Sequence, residues 1–417
     1  MDKILVRGGN RLKGEIVISG AKNAALPAMA ASLLTSDKVT ISNVPQLGDV
    51  KTASKLLGEI GVIVESREAS VLEIDSSDLN RNEVPYELVK TMRASCLLLA
   101  PLLVRCGEVR LSLPGGCAIG ERPINLHIKG LEAMGAKIRL EHGYIVASAN
   151  RLIGNRVYFD TSSVTGTENI MMAAVLAEGE TAIENAAKEP EIGCLANMLR
   201  SMGAKIEGDG TDTIKIQGVS SLSGCRHTII PDRIETGTFM VAAAITGGEL
   251  LLKDTVPQHS EALIVKLREL GVEVEEKGSS ILVRGNGEHR SVDISTSPYP
   301  GFPTDMQAQF MALLTTAQGS AVVTENVFEN RFMHVAEMKR MGADIKVKGK
   351  SAFVKGVKEL SGAPLMATDL RASASLILAA LAANGESTIS RVYHLDRGYE
   401  KIEEKLLRVG ANIERLK

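Results

Sequence analysis

The chain has 417 residues, of which 44% are hydrophobic and 24% charged, and a formal net charge of −2. That balance fits a folded protein of two or three domains and gives no electrostatic pull toward nucleic acid or an anionic membrane. With no Trp and only 3% aromatics, the chain also lacks base-stacking platforms. No uncharged run reaches the roughly 20 residues that span a bilayer, and Met1-Asp2-Lys3-Ile4 opens no charged-then-apolar leader. The 5 cysteines include no C-x-x-C pair and read as thiols of a reducing cytoplasm.

In chain order, the residue pattern predicts a strand over 15–19, a helix over 24–34, a strand over 38–42, a helix over 50–60 and a hairpin over 62–74. The same series then recurs. Leu57-Gly-Glu-Ile60-Gly61-Val62 returns as Leu131-Glu-Ala-Met134-Gly135-Ala136 and Leu199-Arg-Ser-Met202-Gly203-Ala204. Leu267 to Val272, Met338 to Ala343 and Leu406 to Ala411 complete a sixfold repeat, with glycines at 271, 342 and 410. The first helix of each copy (24–34, 94–104, 170–177, 238–245, 308–314, 374–382) is apolar nearly all round and must be buried on all sides. The second is amphipathic. Three copies per domain use all six, with the divide near Pro231-Asp232-Arg233 and a cleft between the domains.

Function is expected where the copies differ. Polar residues head the buried helices: Lys22-Asn23, Arg93, Thr167-Glu168-Asn169, Glu235-Thr236, Asp305 and Arg371. Ordinary capping explains some of them. Three cations (Lys22, Arg93, Arg371) oppose the helix dipole, which a shared anionic ligand would explain and capping would not. The second copy also carries a longer link, Pro114-Gly-Gly-Cys-Ala-Ile-Gly-Glu-Arg-Pro123. Cys117 with Arg122 near it reads as a reactive thiol, whereas Cys96 and Cys106 sit in apolar context as core residues. Arg331 and Arg397 occupy matching loops of the fifth and sixth copies, where they add charge for phosphate contacts. The histidines show no metal-ligand spacing, and neither a P-loop nor a G-x-G-x-x-G is present.

Six ordered motifs carry a family resemblance: Ser19-Gly-Ala-Lys-Asn-Ala-Ala25, Lys90-Thr-Met-Arg-Ala-Ser95, Pro114-Gly-Gly-Cys117, Phe302-Pro-Thr-Asp-Met-Gln-Ala-Gln309, Thr368-Asp-Leu-Arg-Ala-Ser373 and His394-Leu-Asp-Arg-Gly398. Over essentially its whole length the chain resembles the enolpyruvyl transferases. The resemblance implies an α/β fold of two inside-out barrel domains, each of three βαβαββ repeats around buried helices. It implies an N-terminal domain over 22–230 and a C-terminal domain over 1–21 plus 231–417. The implied reaction moves the enolpyruvyl group of phosphoenolpyruvate to the 3′-hydroxyl of UDP-N-acetylglucosamine. No cofactor, metal or obligate protein partner is implied.

By the same resemblance Cys117 is the proton donor and forms an adduct with phosphoenolpyruvate, and Asp305 is the base. Lys22, Asn23, Arg122, Arg331, Arg371 and Arg397 would hold phosphoenolpyruvate. Arg93, Arg122, Pro123, Ile124, Asn125, Leu126, Ser163, Val164, Asp305 and Val327 would hold the UDP-sugar. The chain departs from the family pattern at Thr161, where Lys is expected, and at Asn125, where Asp is common. The shikimate-pathway relative shares the repeat and the anion site, but the Cys117 loop argues against it. A catalytically silent UDP-sugar sensor is disfavoured by the joint presence of Cys117, Asp305, Lys22 and Arg397.

Overall fold

A computed structural model describes residues 2–90, 92–113 and 124–417. The described residues divide into two compact units, residues 20–113 with 124–230, and residues 2–19 with 231–417. Each unit has its own apolar core, and each carries three four-stranded sheets around central helices. Both are inside-out α/β barrels.

The sixfold glycine marks one local structure. Gly61, Gly135, Gly203, Gly271, Gly342 and Gly410 have φ of 92, 95, 107, 92, 91 and 98°. The N–H after each glycine donates to the carbonyl five residues back, as Val62 does to Leu57 at 3.0 Å and Ala204 to Leu199 at 2.9 Å. The glycine N–H itself donates three residues back, as Gly203 does to Arg200 at 2.9 Å. This is the Schellman end of a helix. It needs a left-handed residue after the last turn and an apolar contact across it. The Leu or Met that opens each copy of the motif and the Ala or Val that closes it supply that contact, all of them buried.

The central helices are Lys22–Ala31, Leu99–Cys106, Val164–Ala174, Arg233–Thr246, Gln307–Leu314 and Leu370–Ala382. In the second unit, Arg233–Thr246, Gln307–Leu314 and Leu370–Ala382 pack on one another. Several differ from expectation, the helices predicted from 238 and 374 beginning already at Arg233 and Leu370 behind the caps Asp232 and Asp369. The predicted helix over 94–104 is split into a 3-10 stretch, Arg93–Leu98, and an α-helix from Leu99. Pro101, which has no N–H to donate, thereby falls in the first turn of the α-helix, where it is tolerated. The predicted helix over 170–177 begins earlier, at Val164, capped by the Ser163 hydroxyl.

Each sheet pairs a short leading strand parallel to a core strand, followed by two antiparallel strands. The leading strands of the first and fourth copies are exchanged. Lys13–Val17 pairs with Glu249–Lys253, and Arg226–Thr228 pairs with Val39–Ser42. The sixth copy has a further peculiarity. Its core strand Glu386–Ser390 and last strand Asn412–Leu416 flank Lys3–Arg7, so the chain's first strand completes the hairpin that its last repeat begins.

Candidate active site

A deeply buried charge cluster in the unit of residues 2–19 and 231–417 surrounds Asp305. This residue lies in the 3-10 turn Thr304–Met306 that leads into Gln307–Leu314. One carboxylate oxygen accepts from Arg331 Nη2 at 2.7 Å; the other accepts from Arg371 Nε at 3.1 Å and Nη2 at 2.9 Å. The Arg331 and Arg371 side chains are each 4% exposed against 26% for Asp305. Among the described residues, Nη1 of each arginine is buried without a hydrogen-bond partner. Two guanidiniums share one carboxylate here, leaving an excess positive charge and free donors. Such an arrangement accommodates an anion.

The local fold explains the placement. Asp369 caps Leu370–Ala382 by accepting from the backbone N–H of Arg371 at 2.9 Å and Ala372 at 3.1 Å. That fixes Arg371 in the first turn. The ring of Tyr399 lies 5.5 Å from its guanidinium, and the Tyr399 hydroxyl is held by Thr238 at 2.8 Å and by the Gln309 amide at 3.2 Å. Burial alone would pull the Arg371 guanidinium down, but Asp305, followed by Tyr399 and Asp232, carries it above its ordinary value. Arg331 follows the strand Ser320–Thr324, with the Phe328 ring 5.3 Å away. Arg397 ends the 3-10 helix Val392–Arg397 and is half-buried. Its neighbour Asp396 takes two bonds from Arg415, at 3.0 and 2.6 Å. Val327 is partly exposed and its N–H donates to Glu325 at 2.8 Å.

In the unit of residues 20–113 and 124–230, Lys22 opens the helix Lys22–Ala31 with Asn23 beside it. Its Nζ lies 3.6 Å from Asp49 Oδ2, both side chains being largely buried. Carboxylates of the protein therefore face two of the three cations that oppose a helix dipole, Lys22 and Arg371. Arg93 opens Arg93–Leu98. Ile124 precedes the helix Asn125–Ala133, whose first residues are Asn125, exposed, and Leu126. Ser163 Oγ accepts from Gly166 N at 3.1 Å, with Val164 as the first helical residue and Thr161 exposed just before.

A buried histidine ties these last two helix starts together. Asn169 Oδ1 accepts from Ala100 N at 3.0 Å while its Nδ2 donates to Cys96 O at 2.7 Å. The same amide nitrogen lies 3.0 Å from His127 Nδ1, so the ring proton sits on Nε2, facing Thr165 Oγ1 at 3.2 Å. Burial first, and Arg93 second, holds His127 down to about 4, a neutral ring at working pH. Thr167 and Thr236 serve structure: Thr167 Oγ1 accepts from Ala187 N at 3.0 Å, and Thr236 Oγ1 donates to Asp232 O at 2.9 Å. Thr167, Asn169 and Thr236 do not cap their own helices, since Ser163 and Asp232 are the caps there; they bond within the core instead.

Asp305, Arg331 and Arg371 are thus brought together in one unit. Ser163, Val164, Asn125 and Leu126 lie at two linked helix starts in the other. Cys117, Arg122 and Pro123 lie outside the described residues. Asp49 and Tyr399 carry no signal in the sequence, because each acts through a partner distant along the chain; Asn169 stands out in the sequence as a polar residue at a helix start, but its link to His127 does not.

Comparison with known proteins decides the family. The family model described as EPSP synthase (3-phosphoshikimate 1-carboxyvinyltransferase) matches residues 6–406. The chain belongs to the enolpyruvyl transferase family. Among similar relatives of this transferase is the UDP-N-acetylglucosamine 1-carboxyvinyltransferase of Magnetococcus marinus, 60% identical over 417 residues and 100% of both chains. The protein of that name from Geobacter metallireducens is 57% identical over the same span. The solved enolpyruvyl transferase NikO from Streptomyces tendae superposes with a TM-score of 0.89 at 26% identity, covering 99% of this chain and 98% of that one. EPSP synthase from Acinetobacter baumannii shares the fold, with a TM-score of 0.77 at 19% identity and full coverage of both chains.

Proposed function

We propose that this transferase moves the enolpyruvyl group of phosphoenolpyruvate to the 3′-hydroxyl of UDP-N-acetylglucosamine with release of phosphate, the first committed step of peptidoglycan precursor synthesis. The observation that carries the reading is full-length identity of 60% to a relative of that name. The buried Arg331–Asp305–Arg371 cluster supports it chemically. Phosphoenolpyruvate brings a phosphate and a carboxylate, and adding a hydroxyl to its C2 gives a tetrahedral ketal that keeps both. A cationic site with one acid and one base is what that addition needs.

In this reading Asp305 takes the proton from the 3′-hydroxyl as its oxygen bonds to C2, and Cys117 gives a proton to the methylene carbon. Loss of phosphate and of a methyl proton then restores the double bond. Lys22, Asn23, Arg122, Arg331, Arg371 and Arg397 hold the phosphoenolpyruvate anions. Arg93, Arg122 to Leu126, Ser163, Val164 and Val327 hold the UDP-sugar, with Thr161 supplying no cation there. The two domains are taken as 22–230 and 1–21 with 231–417. Among the described residues no helix is long and apolar enough to cross a membrane. Among the described cysteines, Cys96 and Cys194 are buried, Cys225 is half-buried and Cys106 is exposed rather than in the core as expected; none of the four is in a disulfide, which supports a cytoplasmic reaction.

The test is phosphate release from phosphoenolpyruvate with UDP-N-acetylglucosamine, run beside shikimate 3-phosphate. Release with the UDP-sugar only, lost in Cys117→Ala, is the expected result. Release with shikimate 3-phosphate only would overturn the acceptor. Silence with both, despite UDP-sugar binding, would favour the sensor.

A further inference from the structure

Glu325 immediately follows the strand Ser320–Thr324 and is 1% exposed. Its Oε1 accepts from Thr296 Oγ1 at 2.9 Å, Val327 N at 2.8 Å and Phe328 N at 3.2 Å. Its Oε2 accepts from Thr304 Oγ1 at 2.9 Å. All four donors are neutral. Thr296 Oγ1 in turn accepts from Asn326 N at 2.9 Å, closing the loop on itself.

A carboxylate this deep is costly unless its lone pairs are filled, and an apolar side chain would pack there without that cost. What the carboxylate adds is geometry, since it ties the segment around Thr296 and Thr304, more than 20 residues back in sequence, to the backbone at Val327 and Phe328. Thr304 is the residue before Asp305. Val327 and Phe328 begin the loop that carries Arg331, and the Phe328 ring lies against the Arg331 guanidinium. Both sides of the Asp305–Arg331 ion pair therefore hang from one buried carboxylate.

We propose that Glu325 is a positioning residue that sets Asp305 relative to Arg331 and to the backbone at Val327. The inference rests on the reading above of Asp305 as the base. It concerns how that base is aimed, since Glu325 is buried beneath the turn and acts through Thr304.

The experiment compares the full chain with Glu325→Ala, Glu325→Gln and Thr304→Val by steady-state kinetics and by hydrogen exchange of residues 302–307 and 325–331. In Glu325→Ala both segments should exchange faster. Its kcat should fall roughly 10- to 100-fold, the cost of misplacing a reacting group by about 1 Å, with a smaller change in KM. Glu325→Gln should recover most of kcat. Its amide oxygen still accepts from Val327 and Phe328, and the Thr304 hydroxyl can turn to accept from the new NH₂ group. Thr304→Val keeps the shape of the side chain and cuts one bond; it should loosen 302–307 alone and lower kcat. A Glu325→Ala chain that melts earlier but keeps its kcat and exchange pattern overturns the proposal. If that variant does not fold, Thr304→Val with unchanged kcat and exchange overturns it equally. A parent chain silent with phosphoenolpyruvate and UDP-N-acetylglucosamine defeats the functional reading instead, and the exchange data still decide whether Glu325 holds the two segments.

Discussion

Asp305 bridges two buried guanidiniums, so its removal has a consequence for stability as well as for turnover. Breaking a buried ion pair by deleting one partner costs about 3–5 kcal/mol, because the other charge is left unpaired. Asp305 is 26% exposed, which places Asp305→Ala at the low end, about 3 kcal/mol. Added phosphate should restore much of the loss by binding the freed arginines of the folded state. Urea midpoints with and without phosphate check this; a variant indifferent to phosphate would refute the anion-site reading of the pair. His127 gives a second test. Its folded value near 4 lies below the ordinary 6.5, so the unfolded chain binds a proton between those values that the folded chain refuses. Its contribution is therefore fully present above pH ~6.5 and lost as pH falls toward 4, amounting to about 3 kcal/mol at pH 4. His334, also held to about 4 by burial, adds with the same sign. Stability of His127→Gln should fall less steeply than that of the parent from pH 7 to 4, and parallel slopes would sink the assignment. At this scale the sequence was readable where a residue broke a repeat, as Asp305 and Arg371 do. It was silent where a role depends on a distant partner, as with Asp49 for Lys22 or Tyr399 for Arg371.

The helix ends give the contrast at the scale of elements. The six Schellman ends were legible because every determinant lies within six consecutive residues: an apolar opener, a glycine and an apolar closer. Their energetics should differ by surroundings. A Cβ on Gly203 meets nothing within 4 Å, whereas one on Gly61 meets Asp78 O at 2.7 Å and Asn80 Oδ1 at 2.8 Å. Gly203→Ala thus carries only the left-handed backbone penalty, about 1 kcal/mol after the gain from a stiffer unfolded chain. Gly61→Ala adds a collision with backbone and should cost more. Chemical unfolding of the two variants checks the order; equal losses would mean that the loop at 78–80 yields freely. The exchanged leading strands, Lys13–Val17 and Arg226–Thr228, left no such trace. Each is five residues or fewer, and nothing in so short a run states which of six similar core strands it will join. The split before Leu99 was missed for a related reason: the apolar pattern continues through Pro101, and only the missing N–H decides where the α-helix begins.

At the scale of the whole molecule, the decisive feature is a hairpin divided between the chain ends. Lys3–Arg7 sits between Glu386–Ser390 and Asn412–Leu416, with Lys3 opposite Leu416 and Ile4 opposite Ile389. Ile4 and Val6 are fully buried, so the strand is a core member of its sheet. Deleting residues 1–9 would strip both neighbours of their partner and expose that core, and an insoluble product is expected. Reconnection should do the opposite. Because Lys3 pairs with Leu416, joining Lys417 directly to Met1 leaves residues 417, 1 and 2 as a three-residue loop, a length that antiparallel hairpins commonly use. New ends belong between Gly287 and Glu288, which are exposed and outside any strand. Such a circular permutant restores to the sixth repeat the continuous hairpin that the other five have. It should therefore fold and melt within a few degrees of the parent, and turn over the same substrates. If the permutant is insoluble while the new ends alone, made by a protease nick at 287–288, are tolerated, then the order in which the strands emerge matters as well as their pairing, and the first strand would have to form before the repeats it completes.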